Sequence, residues 1–192
     1  GFFAGLLGIG GAALIVPVLY EVFRVLNVPD EVRFHLCIGT SLACNGLASA
    51  PVALGGSEET KAKYLGMLAE EPKLASFCLT EPDHGSDPRG IKTTATPSGD
   101  HVVLNGRKQW ISNAPVCDVI HVTCRMPDGA GGHRMGRVLV DRHETPFEVR
   151  EVEMHGLCQA PLGEVLFEGC RVPLANVCPE SADTARLLTI TW

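Results

Sequence analysis

The chain contains 192 residues, of which 45% are hydrophobic and 20% are charged. This composition favours a folded core over wholesale disorder, and the length predicts one domain or one domain with an appendage. The formal net charge of -6 argues against non-specific nucleic-acid binding, which depends on lysine and arginine side chains that neutralise phosphates.

The first 20 residues form an almost entirely apolar run, interrupted by glycines and by Pro17. Its length is close to the roughly 20 residues that span a bilayer, so membrane association through residues 1–20 is one prediction. The same run contains G-x-G-x-x-A over residues 8–13, a dinucleotide-binding pattern that no convincing strand precedes. Because the chain begins with Gly1 inside this run, we expect a fragment of a longer protein.

Two short helices are predicted after the apolar segment. Small residues favour a helix over residues 42–54. Ser57 then stands in the position of an N-cap, and Glu58 and Glu59 follow it in the first turn, where the helix dipole favours negative charge. This second helix is expected to end before Pro72, since proline removes a helical hydrogen bond.

After Pro72 the pattern changes to short segments typical of β-strands. Asn105-Gly106 between two such segments predicts a hairpin turn, and the glycine-rich residues 129–132 predict a flexible loop. Many short strands with regular turn signals indicate a mainly β fold, arranged as a sandwich or a barrel. The predicted strands cover residues 74–79, 91–96, 101–104, 108–111, 119–125, 137–141, 147–153 and 164–167.

Eight cysteines occur, and no two are spaced as C-x-x-C, so the sequence does not indicate a zinc site. The chain is long enough to build a core without disulfides, and we therefore expect buried free thiols. Free thiols are typical of a reducing compartment. The prediction is a cytoplasmic protein without a bound metal, with membrane association through residues 1–20 as the alternative location.

Two segments carry the densest chemical signal. In the first, residues 77–87 read FCLTEPDHGSD, a strand followed by a tight turn that presents hydroxyls and backbone N–H groups, as anion-binding turns do. In the second, residues 105–113 read NGRKQWISN. On a strand, Trp110 and Ser112 point to the same face, where an indole and a hydroxyl can cover a planar heterocycle and bond its edge. Taken singly, an ordinary turn and a core tryptophan are the simpler interpretations.

In this order and at this spacing, the two segments resemble the acyl-CoA dehydrogenase family, whose members carry C-x-T-E-P-x-x-G-S-D and then N-G-x-K-x-W-I-[ST]-N. The resemblance covers about residues 43–178. It implies a middle β-barrel domain over residues 73–178, preceded by helices: an apolar N-terminal helix within residues 1–43 and two short helices that end with the helical approach of residues 44–72. The tail of residues 179–192 matches nothing.

The resemblance also implies a site for FAD. Phe77, Leu79 and Thr80 would line the isoalloxazine, and Trp110 and Ser112 would pack on it and approach N5. Backbone amides and the Thr80 hydroxyl would bond its pyrimidine edge. A serine in the turn would meet a cofactor phosphate and lie beside the thioester arm of the acyl-CoA substrate. The predicted cofactor-binding residues are Phe77, Cys78, Leu79, Thr80, Gly85, Ser86, Trp110, Ile111 and Ser112, and Ser86 is also predicted to bind substrate.

The family's reaction is the α,β-dehydrogenation of acyl-CoA thioesters. A glutamate in a C-terminal helical domain removes the α-proton, and no part of this chain matches that domain. We therefore predict no catalytic residue, and we expect Glu81 to be a structural part of its turn. The expectation is an enzyme fragment that binds FAD weakly or not at all and is inactive alone. The family's homo-oligomeric assembly is doubtful for such a fragment.

Residues 1–43 show a second resemblance, to the opening of sulfite-exporter-type membrane permeases. The apolar run GFFAGLLGIGG, residues 16–19 and residues 35–43 carry it. On this alternative the chain is a membrane-permease fragment fused to an inert passenger domain. The join near residues 41–44 would make the chain a chimera.

Overall fold

The computed structural model describes residues 52–53, 56–70, 73–154 and 161–178. In this part of the chain, helix α1 (Glu58–Glu70) precedes eight strands, and short 3-10 helices occupy Pro88–Gly90 and Leu174–Asn176. The strands are β1 (Ala75–Cys78), β2 (Thr94–Ser98), β3 (His101–Ser112), β4 (Val119–Pro127), β5 (His133–Asp141), β6 (Glu148–Val152), β7 (Leu162–Pro173) and β8 (Val177–Cys178).

Helix α1 begins where the sequence predicts. The Ser57 hydroxyl accepts a hydrogen bond of 3.1 Å from the Thr60 backbone N–H, which satisfies one of the free donors of the first turn. Tyr64 on this helix is buried, and its hydroxyl accepts a hydrogen bond of 2.8 Å from the Asn176 side chain. Tyr64 packs with Val119 and other residues of the sheet, so α1 covers one face of it.

The eight strands form one sheet in the order β6-β7-β3-β2-β4-β5-β8, with β1 paired to β4 beside this path. One edge of β4 is shared by two parallel partners: β1 pairs with residues 119–122, and Thr94 of β2 pairs with Arg125. The other ladders are antiparallel. The mainly β fold is therefore confirmed. The predicted closed barrel is not, because within the described residues the path is open between β6 and β8.

Strand β4 lies at the centre of the packing. Its residues Ile120, Val122 and Cys124 enter the main core cluster with side chains of β3 and β7, whereas Val119 on the opposite face packs against α1. Both faces of β4 are consequently buried, and only the strands further out alternate between buried and exposed positions.

The hairpin predicted at Asn105-Gly106 is wrong. Strand β3 runs without interruption from His101 to Ser112, and the turn between β2 and β3 lies at Gly99, whose φ is 67°. Gly106 has a φ of 150°, and a Cβ placed on it would lie 2.6 Å from the Thr93 Cα. Asn105 accepts a hydrogen bond from the Gly169 N–H across the ladder. Asn105 and Gly106 therefore lie at a register shift of the β3–β7 ladder, where the missing side chain of glycine allows close packing against Thr93.

The five cysteines in the described part of the chain are all free and buried, as predicted. They are Cys78, Cys117, Cys124, Cys170 and Cys178. The apolar helix predicted within residues 1–43 and most of the helix predicted over residues 42–54 lie outside the described residues. Across the ranges that are described, the structure contains no helix long and apolar enough to cross a membrane.

Replacing Gly106 tests the close contact with Thr93. Gly106→Ala is expected to lower the free energy of unfolding by about 2–4 kcal/mol, because alanine adds both an unfavourable φ and a steric overlap. Gly66→Ala is the control, since a Cβ there meets nothing within 4 Å in the middle of α1. It should raise stability by about 0.5–1 kcal/mol. Urea denaturation measures both, and equal effects would contradict the assignment.

Candidate functional site

The structure brings the two motif segments together. Strand β1 and the turn that follows it, residues 79–87, lie alongside the second half of β3. The Gln109 N–H donates a hydrogen bond of 2.9 Å to the Thr80 carbonyl, and the Ser76 hydroxyl donates one of 2.6 Å to the Ser112 carbonyl. Segments that are about 30 residues apart in the sequence thus form one continuous surface, named here the motif surface.

A buried ion pair holds the motif surface together from inside. The Lys108 ammonium, with no exposed surface, donates hydrogen bonds of 2.9 Å to the Glu81 Oε1 and of 2.9 Å to the Leu79 carbonyl. The Glu81 carboxylate also accepts backbone N–H groups, from Lys92 at 2.6 Å and from Thr93 at 2.9 Å. The turn after β1 is therefore tied both to β3 and to the segment that leads into β2.

The pKa values of this pair follow from its surroundings. Burial raises the pKa of the Glu81 carboxyl, but the hydrogen bonds from Thr93, Lys108 and Lys92 outweigh burial and bring that pKa below its usual range. For Lys108, burial is the largest influence and lowers the pKa, while Glu81 opposes it. An ionised carboxylate with three donors around it is poorly suited to act as a base. This supports the structural role expected for Glu81.

A β-bulge decides which side chains of β3 face outward. The ladder with β7 shifts between Lys108 and Ile111, and Trp110 within the bulge has a φ of 61°, unusual for a residue other than glycine. Without the extra residue Trp110 would share the inward face of Lys108. With it, Ile111 turns inward, and Trp110 (53% exposed) and Ser112 project outward, the alternation that the sequence predicts.

The predicted site residues divide into two groups by burial. Ser86, Trp110 and Ser112 are exposed, and the residues Phe77, Thr80 and Gly85 are half-buried. By contrast, Cys78 and Ile111 lie in the main core cluster, and Leu79 is also buried. A ligand on the motif surface would therefore reach Cys78 and Ile111 through their backbone atoms, and their assignment as cofactor-binding residues stays a prediction.

Within residues 81–87, backbone hydrogen bonds in both directions between Glu81 and His84 close a turn. The His84 ring lies directly on Gly90, where any Cβ would collide with the imidazole. Two exposed ion pairs flank the turn, Lys92 with Asp83 and Arg89 with Asp87. Both aspartates of this segment are therefore paired with a cation. Ser86, between them in the sequence, is exposed. In the ranges described, no three His, Cys, Asp or Glu side chains are grouped to hold a metal ion.

His121 is a residue of this region that the sequence reasoning missed. It lies on β4, is fully buried, and stacks on Phe77 with ring centroids 5.4 Å apart and an angle of 20° between the planes. Burial, with a smaller contribution from Arg137, lowers the pKa of its imidazole to about 3, so the ring is neutral. A polar residue in an alternating strand pattern usually marks the solvent face, which is why the sequence did not indicate it.

Comparisons with known proteins agree on one family. The family described as acyl-CoA dehydrogenase, middle domain matches residues 76–170. A glutaryl-CoA dehydrogenase of Desulfococcus multivorans is 34% identical over 69% of this chain and 34% of its own length. A mitochondrial very long-chain specific acyl-CoA dehydrogenase of Macaca fascicularis is 34% identical, over 90% of this chain and 27% of its own length.

Solved structures show the same likeness. A glutaryl-coenzyme A dehydrogenase in complex with glutaryl-CoA superimposes with a TM-score of 0.68 at 32% identity, over 76% of this chain and 37% of that one. A glutaryl-CoA dehydrogenase from Mycobacterium smegmatis in complex with FADH2 gives a TM-score of 0.64 at 30% identity, over 73% of this chain and 36% of that one. The chain thus spans about a third of the length of its relatives.

The permease resemblance of residues 1–43 finds no support in these comparisons. Residues 44–192 make up less than four-fifths of the chain. The alignment with the macaque enzyme covers 90% of the chain, and it therefore includes part of the segment that the permease resemblance claimed. The expected join between two families near residues 41–44 is not supported either.

Breaking the buried ion pair from its two ends should give unequal costs. Glu81→Gln leaves the Lys108 ammonium buried and is expected to cost about 3–5 kcal/mol of unfolding free energy. Lys108→Met leaves Glu81 with two backbone donors, so about 1–3 kcal/mol is expected. Asp83→Asn, which breaks an exposed pair in the same turn, should cost less than about 1 kcal/mol. Urea denaturation at pH 7 measures all three. A larger cost for Lys108→Met than for Glu81→Gln would overturn the interpretation.

His121 should make the fold sensitive to acid. Its pKa is about 6.5 in the unfolded chain and about 3 in the fold, so the unfolded state binds the proton first as pH falls. The stability that neutral His121 contributes is therefore fully present above about pH 6.5. Below that pH the free energy of unfolding declines, by about 3 kcal/mol at pH 4. His121→Phe removes this dependence on pH, whereas the Asp and Glu side chains continue to titrate as before. Urea denaturation of both proteins from pH 4 to pH 8 should show that the wild type loses more unfolding free energy at low pH than the variant. Parallel curves for the two proteins would disprove the role of His121 in acid sensitivity.

Proposed function

Residues 76–170 belong to the acyl-CoA dehydrogenase middle-domain family, and on this premise we propose that the chain supplies the flavin-facing surface of an FAD-dependent acyl-CoA dehydrogenase. Relatives named as glutaryl-CoA and very long-chain acyl-CoA dehydrogenases support acyl-CoA thioesters as the substrate class. The reaction of such an enzyme is α,β-dehydrogenation of the acyl chain.

The observation that carries this proposal is the exposure of Trp110 beside polar groups on the motif surface. A large indole that is 53% exposed, held outward by a strained bulge, presents an apolar plane that solvent does not favour. Ser112 is exposed two residues further along β3, and the half-buried Thr80 accepts a hydrogen bond from the Gln109 N–H at its backbone carbonyl. A planar ring system with a polar edge fits this combination, and FAD is such a group.

The residues of the motif surface that are not fully buried would then have these tasks, with Phe77 lining the isoalloxazine. Trp110 would pack on the ring system and shield it from water, with the Ser112 hydroxyl close to N5. The Thr80 hydroxyl and neighbouring backbone N–H groups would bond the pyrimidine edge. Ser86, exposed two residues after the closed turn, would meet a phosphate and the thioester arm of the substrate. Bound FAD supplies the hydride acceptor of the reaction.

We assign no catalytic base among the described residues. Glu81 is the buried carboxylate of the motif surface, and its oxygens already accept three hydrogen bonds. The expectation that the chain alone binds FAD weakly or not at all and has no turnover stays a prediction, as do the homo-oligomer, the cytoplasmic location and the division at residues 44, 73 and 179. The permease-fragment alternative has no observation in its favour.

Titration with FAD tests the proposal. We expect quenching of tryptophan and flavin fluorescence on mixing, and Trp110→Ala should weaken binding by about tenfold because an aromatic stacking contact is lost. Leu174→Ala is the matched control, since Leu174 is also exposed (47%) but belongs to a 3-10 helix outside the motif surface. Equal affinity of the two variants would contradict the assignment of Trp110.

Turnover is measured separately, with an acyl-CoA thioester and an artificial electron acceptor. Substrate oxidation by the chain alone would show that a catalytic base is present and that the predicted inactivity is wrong.

A further inference from the structure

We infer that His121 is a positioning residue, whose ring holds Phe77 in place on the flavin-facing side of β1. The inference rests on the proposed function, because Phe77 is one of the residues proposed to line the isoalloxazine. It extends that function to a residue of β4 that carries none of the motif signals.

The ladder between β1 and β4 sets the two rings against each other. These strands are parallel, and Phe77 is the register partner of His121. Side chains of register partners leave the sheet on the same face. The ring centroids are 5.4 Å apart with an angle of 20° between the planes, which is the geometry of an offset stack. Phe77 is half-buried and His121 has no exposed surface, so the imidazole supports the inner side of the phenyl ring.

His121 is itself held firmly from the other side. On the opposite edge of β4 its register partner is Leu139 of β5, which is buried in the cluster that packs against α1. The imidazole therefore lies between Leu139 and Phe77 across three adjacent strands. A ring fixed in this way can transmit the rigidity of the sheet to Phe77, and through β1 to the turn that carries Thr80 and Ser86.

Hydrogen bonding does not explain the histidine. Neither of its ring nitrogens has a partner within the described residues, and the Thr123 hydroxyl two residues further along β4 is also unpaired. A buried polar group without a partner costs about 1–3 kcal/mol, so an apolar side chain would be cheaper for packing alone. Burial and the positive charge of Arg137 keep the imidazole neutral, and a neutral ring can stack on Phe77 without bringing a charge beside the flavin site.

Three substitutions at this residue and one beside it separate stacking from general stability. His121→Phe keeps an aromatic ring, His121→Leu keeps volume without a ring, and His121→Ala removes both. Leu139→Ala makes a cavity on the other side of His121 without removing the stack. The measurements on the full chain are the dissociation constant for FAD by fluorescence titration, the melting temperature, and the visible absorption spectrum of bound FAD.

We expect His121→Ala and His121→Leu to weaken FAD binding by about tenfold, the loss of one aromatic contact, and to shift the bound-flavin spectrum toward that of free FAD. His121→Phe should bind within about twofold of wild type. Leu139→Ala should lower the melting temperature but weaken FAD binding by less than His121→Ala does, because the ring that stacks on Phe77 remains.

The outcomes distinguish this inference from the proposed function. If wild type binds FAD and His121→Leu binds it equally well, the positioning role is wrong and the flavin surface stands. If Leu139→Ala weakens binding as much as His121→Ala, the effect is one of general stability and the inference is again wrong. If wild type binds no FAD at the highest concentration tested, the chain alone does not form the proposed flavin surface, and the inference is overturned for this chain.

Discussion

The structure of the motif surface depends on one buried ion pair, between Lys108 and Glu81. A charge buried in a protein core is costly unless it is paired and hydrogen-bonded. Here the hydrogen bonds of the pair offset that cost. The partners are the carbonyl of Leu79 at the end of β1, the carboxylate of the turn, and the backbone N–H groups that lead into β2, and each belongs to a segment that the motif surface requires. Moving any one of these segments would leave a buried charge uncompensated, so the pair fixes their mutual position.

The ion pair also explains the strained bulge in β3. Lys108 must point inward to reach Glu81, and Ile111 points inward to fill the core, yet residues three apart on a regular strand face opposite ways. An extra residue resolves the conflict, and the positive φ of Trp110 is part of that solution. The exposure of Trp110 therefore follows from the packing of the neighbouring residues Lys108 and Ile111. The proposed contact with flavin involves the indole surface that this packing leaves exposed.

The sequence predicts the parts of this fold that depend on neighbouring residues. The Ser57 cap, the strand positions and the buried thiols follow from local chemistry, and the paired motifs are recognised from residue types and spacing. Prediction from the sequence fails where contacts between residues far apart in the chain determine the local structure. Asn105-Gly106 has the composition of a tight turn, but Thr93 and β7 use the pair inside a long strand. Sheet closure depends on how β6 and β8 lie relative to each other, which strand signals alone do not contain.

His121 shows the same limit from the opposite direction. Its strand alternates between apolar and polar residues, which normally indicates one solvent-exposed face, but α1 packs on that face and the Phe77 ring lies against the imidazole. The motif residues need this second layer, since a strand of four residues with a single parallel ladder has few contacts of its own. The core residue Cys78 anchors β1 from one face, and the stack of Phe77 on His121 anchors it from the other. Ligand-facing side chains can therefore remain half-exposed and still be held in one position.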